Sequence, residues 1–194
     1  MKHCGTQRLE TDRLILRRYV SEDAAAMYKN WAFDSEVTKF LMWKTHSNQE
    51  ESQRIMDDWV KQYSDEKYYH WGIVLKENGD EPIGAIAVGF MNEEISSTQI
   101  SYCLGRAWWH KGIMSEALKA VMDFLFDVVE VNRIEARHDP RNPNSGKVMQ
   151  KCGMKYEGTL RKTQPIGKYL FLENIFTGRP ILPEDNCEFA SIDA

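Results

Sequence analysis

The chain of 194 residues carries 25 Lys and Arg against 29 Asp and Glu, a formal net charge of −4, so no overall field draws it to nucleic acid or an anionic membrane. Its 42% apolar and 11% aromatic content is that of a folded protein, at a length that suits one domain with a real core. No stretch approaches the roughly 20 apolar residues of a membrane span, and Met1-Lys2-His3-Cys4-Gly5 does not read as a signal peptide. Cys4, Cys103, Cys152 and Cys187 lie far apart without metal-ligand spacing, so the expectation is a cytoplasmic protein with reduced thiols and no metal. No membrane or direct nucleic-acid partner is expected, and the state is monomer or homodimer.

Arg13–Tyr19 has strand composition with a partial period of two. Ser21-Glu22-Asp23 opens a helical segment to about Ala32, with acids suited to its first turn. Val37, Phe40 and Leu41 sit in a short helical or irregular piece. Ser47-Asn48-Gln49-Glu50 is a capping-box pattern, and Ile55, Trp59 and Tyr63 recur every four residues behind it, predicting a helix at about 48–64. His70–Leu75 and Ile83–Phe90 then read as a hairpin around Glu77-Asn78-Gly79-Asp80. Gly84 and Gly89 in its second arm predict a bulge or a close backbone approach. A third strand covers about Thr98–Leu104.

Helical spacing returns over about 115–129 with Met114, Leu118, Val121, Met122, Leu125, Phe126 and Val129. Asn132–His138 reads as a strand. Asn142-Pro143-Asn144-Ser145 starts a helix, with Asn142 as cap and Pro143 in the first position, and Gly153 ends it. Strands follow at about Lys155–Leu160 and Tyr169–Thr177. With no repeat or linker, the chain reads as a single domain over 1–194, its core at about 8–178 and its tail, 179–194, peripheral.

Between the third strand and the long helix lies Arg106-Ala107-Trp108-Trp109-His110-Lys111-Gly112-Ile113-Met114-Ser115. A basic turn with a glycine, opening a helix, is a recipe for holding phosphate. First-turn amides lack helical partners, the helix dipole is positive there, and glycine admits a close approach. On spacing alone the same turn reads equally as a surface loop, because neither a P-loop nor a three-glycine fingerprint is present. The second helix start at Asn142, after the next strand, favours the phosphate reading: two parallel strands each ending in a helix start leave a cleft at their carboxyl ends.

In element order and motifs the chain resembles the GNAT superfamily of acetyl-CoA-dependent N-acetyltransferases, and within it the branch of ribosomal-protein alanine N-acetyltransferases. The likeness rests on Leu9–Arg17, Trp109–Leu118, Asn142-Pro143-Asn144-Ser145 and Lys151–Gly158, in order, across about residues 8–178. It implies an α/β fold with a mostly antiparallel sheet of about six to seven strands, flanking helices, and a splayed parallel pair that holds the cofactor. It also implies that amides of His110, Lys111, Gly112, Ile113, Met114 and Ser115 hold the coenzyme A pyrophosphate, that Asn142 and Ser145 meet the pantetheine arm, and that Cys103 and Leu104 pair with it like an added strand. The implied reaction moves acetyl from coenzyme A to a primary amine, either a protein N-terminus or a small molecule. The alternative is a non-catalytic acyl-CoA-binding or regulatory module with the same fold.

The chemistry asks for a base to deprotonate the amine and an acid for the leaving thiolate. Glu135, in a Glu-Ala-Arg segment like a catalytic Glu-Val-Arg of relatives, is the first candidate base. His138 titrates in the right range but lies on the opposite strand face. Tyr102, Tyr156 and Tyr169 are the candidate acids. Trp108 and Trp109 either wall the cofactor cleft or pack in the core; Trp31, Phe33, Phe40, Trp43, Trp59 and Tyr63 line the acceptor side or pack its helices. Four departures from the family pattern stand out. Met114 replaces a small residue, so its side chain must point away from the phosphates, and Gln99, Phe171 and Ile175 stand where the family carries groups suited to acid–base or ammonium-binding roles.

Overall fold

A computed structural model describes residues 1–166 and 169–178, with side chains for 1–160 and 175–177. The strands are β1 (Leu9–Glu10), β2 (Leu14–Arg17), β3 (His70–Leu75), β4 (Pro82–Asn92), β5 (Ser97–Leu104), β6 (Arg133–His138), β7 (Lys155–Ile166) and β8 (Tyr169–Gly178). The α-helices are α1 (Ala24–Met27), α2 (Ser35–Thr38), α3 (Gln49–Gln62), α4 (Ile113–Asp127) and α5 (Pro143–Lys151). The strands form one sheet in the order β1-β2-β3-β4-β5-β6-β8-β7, in which β5 and β6 run parallel and every other pairing is antiparallel. The expected mixed architecture is present. The strand count is eight instead of six to seven, because Leu9–Glu10 pairs with Leu16 and Ile15 as a two-residue edge too short for any periodicity to show.

Each face of the sheet carries its own core. On one, Leu14, Leu16, Trp71, Ile73, Ile86 and Ile100 pack against Leu118, Val121 and Leu125 of α4. That helix buries one stripe at helical spacing, and each fully buried leucine contributes roughly 1.5–3 kcal/mol. On the other face, Tyr19, Met27, Trp31, Met56 and Ala85 form a second cluster beneath α1–α3. Tyr19 holds that layer to the sheet by donating from its hydroxyl to the Gly84 carbonyl at 2.8 Å, and its ring fills the space over Gly72.

Local chemistry explains most boundaries. Asn48 caps α3 by accepting from the Glu51 amide at 2.9 Å, and Glu51 returns to the Ser47 amide at 2.9 Å, a reciprocal cap one residue beyond the expected one. The segment expected as one helix from Ser21 divides into a 3₁₀ turn at Ser21–Asp23, α1, and a π-helical turn at Tyr28–Ala32. The wide turn carries Trp31, which is fully buried. Gly89 marks a register shift between β4 and β5, and a Cβ on Gly84 would lie 2.5 Å from the Cys103 carbonyl, so one glycine makes the bulge and the other the close approach. β7 runs beyond the expected Leu160 to Ile166 because it is the sheet's outer strand, where Pro165 breaks no ladder on its free side.

Candidate active site

The parallel pair comes apart. Residues Ser97–Ile100 pair with Arg133–Ala136, and the register stops there, leaving Ser101–Leu104 bonded only to β4. Beyond Ile100 and Ala136 the strands leave a gap whose two walls end in the starts of α4 and α5.

Side-chain alternation sorts the candidates onto the two faces of this gap. Gln99 and Glu135 are register partners and share the face beneath α1–α3 with Ser101 and Cys103. Ile100, Tyr102 and Leu104 face α4 and α5 with Ala136 and His138. Glu135 is one-quarter exposed and lies between two guanidinium groups, 3.1 Å from Arg133 Nε and 3.6 Å from Arg137 Nη2. Arg133 turns its other side to Glu157 at 2.5 Å. His138 is buried against α5: its Nδ1 lies 2.8 Å from the Asp139 carbonyl, and a Cβ on Gly146 would lie 2.7 Å from its Nε2. His138 is thus placed on the opposite face of β6 from Glu135, as expected. The period of two that puts Glu135 on the open face turns His138 under α5, where it packs with Phe176.

Tyr102 and Ser145 meet. The Tyr102 hydroxyl lies 3.0 Å from both the carbonyl and the hydroxyl of Ser145, and burial pushes its pKa well up, so the phenol keeps its proton. Tyr156 is turned outward at 52% exposure with its hydroxyl on Thr159, which removes it from the gap. The side chains of Tyr169 and Phe171 lie outside the described residues. Asn142 takes the N-cap position of α5 with Pro143 first in the helix, as expected; its side chain makes no cap bond, and its carbonyl accepts the Ser145 amide at 3.2 Å.

The strand edge facing the gap differs by one residue from expectation. The Gly105 amide donates to Ile83 of β4 at 2.9 Å, so by alternation the backbone groups of Cys103 also face β4. The Leu104 carbonyl accepts the Trp109 indole at 2.7 Å. The groups left toward the gap are the N–H and C=O of Tyr102 and the N–H of Leu104. The Cys103 thiol is buried on the α1–α3 side and pushed up to about 12 by burial, which keeps it unreactive.

The turn closes the site. After a 3₁₀ turn at Arg106–Trp108, His110 adopts φ 62° and Gly112 φ 74°, both left-handed, and α4 starts at Ile113. Trp108, Trp109 and Glu116 donate their amides to Gly105, Arg106 and Gly112. The six amides between, His110 through Ser115, have no acceptor among the described residues. Left-handed glycine is unstrained, whereas left-handed His110 costs on the order of 1 kcal/mol. Met114 is buried in the α4 core, so its thioether points away from the exposed amides and the departure at this position leaves the turn open. A Cβ on Gly112 would meet only Arg13 Nη2, at 3.7 Å. Backbone N–H groups around a left-handed pair, continued into a helix N-terminus, form an anion-binding concavity.

Opposite the gap, Asp34 caps α2 through the Glu36 amide and holds Arg106 Nε at 2.9 Å. The Arg141 guanidinium lies 5.7 Å from the Phe40 ring, joining the α2 segment to the β6–α5 loop. Trp59 meets His70 edge-on and Trp43 lies tilted against His46, both packed against the second core cluster; Phe33 is exposed. Among the described residues no group of three or more His, Cys, Asp or Glu is arranged to hold a metal, and no helix is long and apolar enough to cross a membrane.

Comparison with known proteins agrees with this geometry. The acetyltransferase (GNAT) domain pattern matches residues 13–155. The Bacillus licheniformis protein named uncharacterized N-acetyltransferase p20 is 34% identical over 169 residues, covering 84% of this chain and 93% of its own length. A ribosomal protein uS5-alanine N-acetyltransferase of Escherichia coli is 34% identical over 59 residues, 30% of either chain. Among solved structures, a Bacillus anthracis GNAT-family acetyltransferase superposes with a TM-score of 0.78 at 23% identity, covering 88% of this chain and 97% of that one. A ribosomal L7/L12 alpha-N-protein acetyltransferase solved with coenzyme A gives 0.78 at 16% identity, covering 89% and 97%.

Proposed function

The chain belongs to the GNAT acetyltransferase family, and from that premise we propose that it transfers acetyl from acetyl-CoA to a primary amine, a protein N-terminus or a small molecule. The observation that carries this reading is the run of six unpartnered amides at His110–Ser115, placed where the splayed strands end. These amides hold the pyrophosphate, and the Tyr102 carbonyl and the Leu104 N–H are offered to the pantetheine arm beside Asn142 and Ser145. Acetyl-CoA supplies the activated thioester.

The chain's own residues do the rest. Gln99, Ser101 and Glu135 share the face from which the amine arrives, and Glu135 is the carboxylate there that takes the amine's proton, directly or through water. The Tyr102 N–H, free at the gap, stabilises charge developing on the carbonyl oxygen. The Tyr102 hydroxyl passes a proton to the departing thiolate and is reprotonated by water, while Glu135 releases the amine's proton to solvent.

Thiol release from acetyl-CoA on an amine panel, including peptides with N-terminal alanine and serine, tests the proposal. Amine-dependent release supports it. Tight coenzyme A binding without turnover on any amine would replace it with the binding-module reading.

A further inference from the structure

The turn that displays the six amides includes a strained His110, and among the described residues the hydrogen bonds made within the turn hold its two ends, Trp109 and Gly112, but not the His110–Lys111 segment between them. What fixes that segment comes from the corner between β1 and β2, about a hundred residues away in sequence. Glu116, in the first turn of α4, accepts Thr11 Oγ1 at 2.5 Å and the Arg13 amide at 3.1 Å on Oε1. On Oε2 it accepts Arg13 Nε at 2.7 Å and Nη2 at 2.6 Å. Arg13 Nη1 continues to the Lys111 carbonyl at 3.1 Å. The corner is itself held: Thr11 N–H donates to the Leu14 carbonyl at 3.0 Å, Leu14 N–H to Thr11 Oγ1 at 2.9 Å, and Lys76 Nζ to the Thr11 carbonyl at 2.6 Å.

Two consequences follow from elementary chemistry. A peptide unit is planar and trans, so its carbonyl and the next N–H point in opposite directions. Holding the Lys111 carbonyl on Arg13 therefore turns the Gly112 N–H the other way, toward the open side of the turn. The second consequence concerns charge. A bare carboxylate in the first turn of α4 would repel an incoming phosphate, and four donor atoms, two of them on the Arg13 guanidinium, offset that charge. Burial pushes the Glu116 carboxyl up, but hydrogen bonds from Thr11 and Arg13 and the guanidinium charge outweigh it and hold it below its usual range.

We propose that Arg13 and Glu116 are a positioning pair that sets the His110–Ser115 turn in its anion-binding shape before the coenzyme arrives. The proposal rests on the coenzyme reading above. Arginine is required because one planar fork reaches Glu116 and the Lys111 carbonyl together, and an ammonium ion cannot span both. The pair contributes to affinity by preorganisation and takes no part in proton transfer.

The test uses the full chain, calorimetric binding of coenzyme A, steady-state kinetics and thermal melting. Arg13→Gln is expected to raise the Kd for coenzyme A about tenfold while kcat at saturating acetyl-CoA stays within about twofold. Arg13→Lys, which keeps charge and fold, should recover less than half of that loss on a logarithmic scale. Arg13→Gln combined with Glu116→Gln should bind no worse than Arg13→Gln alone, because the two side chains act as one unit. If wild type binds coenzyme A and Arg13→Lys binds equally tightly, the positioning role is wrong and the coenzyme reading stands. If Arg13→Gln lowers kcat with Kd unchanged, the role is also wrong. If wild type fails to bind coenzyme A, both readings fall together.

Discussion

Gly112→Asp puts the phosphate-binding role of the turn under the sharpest strain. At φ 74° any side chain gives up the freedom that glycine has, which costs about 1 kcal/mol of stability. The space itself is open, since the nearest atom to a new Cβ is Arg13 Nη2 at 3.7 Å, so the helix and its buried stripe stay in place. Gly112→Ala therefore measures the backbone cost alone. It should lower stability by about 1 kcal/mol and change coenzyme affinity by less than about threefold. Aspartate adds a carboxylate among the free amides of His110–Ser115, where it both accepts their hydrogen bonds and faces the bound anion. Two unit charges about 5 Å apart at an effective dielectric near 20 repel by roughly 3 kcal/mol, and surface screening reduces this to about 1.5–2.5 kcal/mol, or roughly 10- to 70-fold in Kd. Calorimetry with coenzyme A, beside a melting curve for each variant, separates the two effects. Gly112→Asp binding like Gly112→Ala would refute the reasoning and move the anion site elsewhere.

Glu135→Gln should lower kcat at saturating acetyl-CoA by about 100-fold with little change in the acetyl-CoA KM, and should flatten the acid side of the rate profile; a wild-type profile would make Glu135 a structural link between Arg133 and Arg137. His70 is buried, and burial lowers its pKa to about 3, so the unfolded chain binds a proton below about 6.5 that the folded protein refuses. This histidine's contribution is thus fully present above the unfolded value and is lost as pH falls toward the folded one, by roughly 5 kcal/mol in all. Urea unfolding at pH 7 and pH 5 should show the loss, and His70→Phe should flatten it; an unchanged pH slope in the variant would show that other groups carry the acid sensitivity.

Much of this organisation is legible in the chain because local patterns and tertiary packing agree. The alternation in 70–104 delivers the β3–β4–β5 meander, and Gly89 marks its bulge. The same period of two places Glu135 and His138 on opposite faces of β6, which decides which of them meets the open side. Helical spacing over Ile113–Asp127 delivers α4 and, with it, the buried direction of Met114. Features set by distant partners are not legible in this way. The π-helical turn at Tyr28–Ala32 depends on how Trp31 packs over the sheet. The gap-facing strand edge depends on the β4 register and on the Trp109 indole reaching the Leu104 carbonyl. The Arg13–Glu116 bridge joins residues far apart in sequence, and neither shows in its own surroundings that it shapes a turn.

The central claim is that the amides of His110 through Ser115 receive the coenzyme's phosphates. Amide chemical shifts of the labelled protein, followed while coenzyme A is titrated in, test it most directly, since each of these six residues carries an N–H. Saturable downfield shifts concentrated on His110–Ser115, absent from the Gly112→Asp variant at equal concentration, are the expected result. Saturable binding that leaves those six amides unmoved and shifts another part of the chain would contradict it.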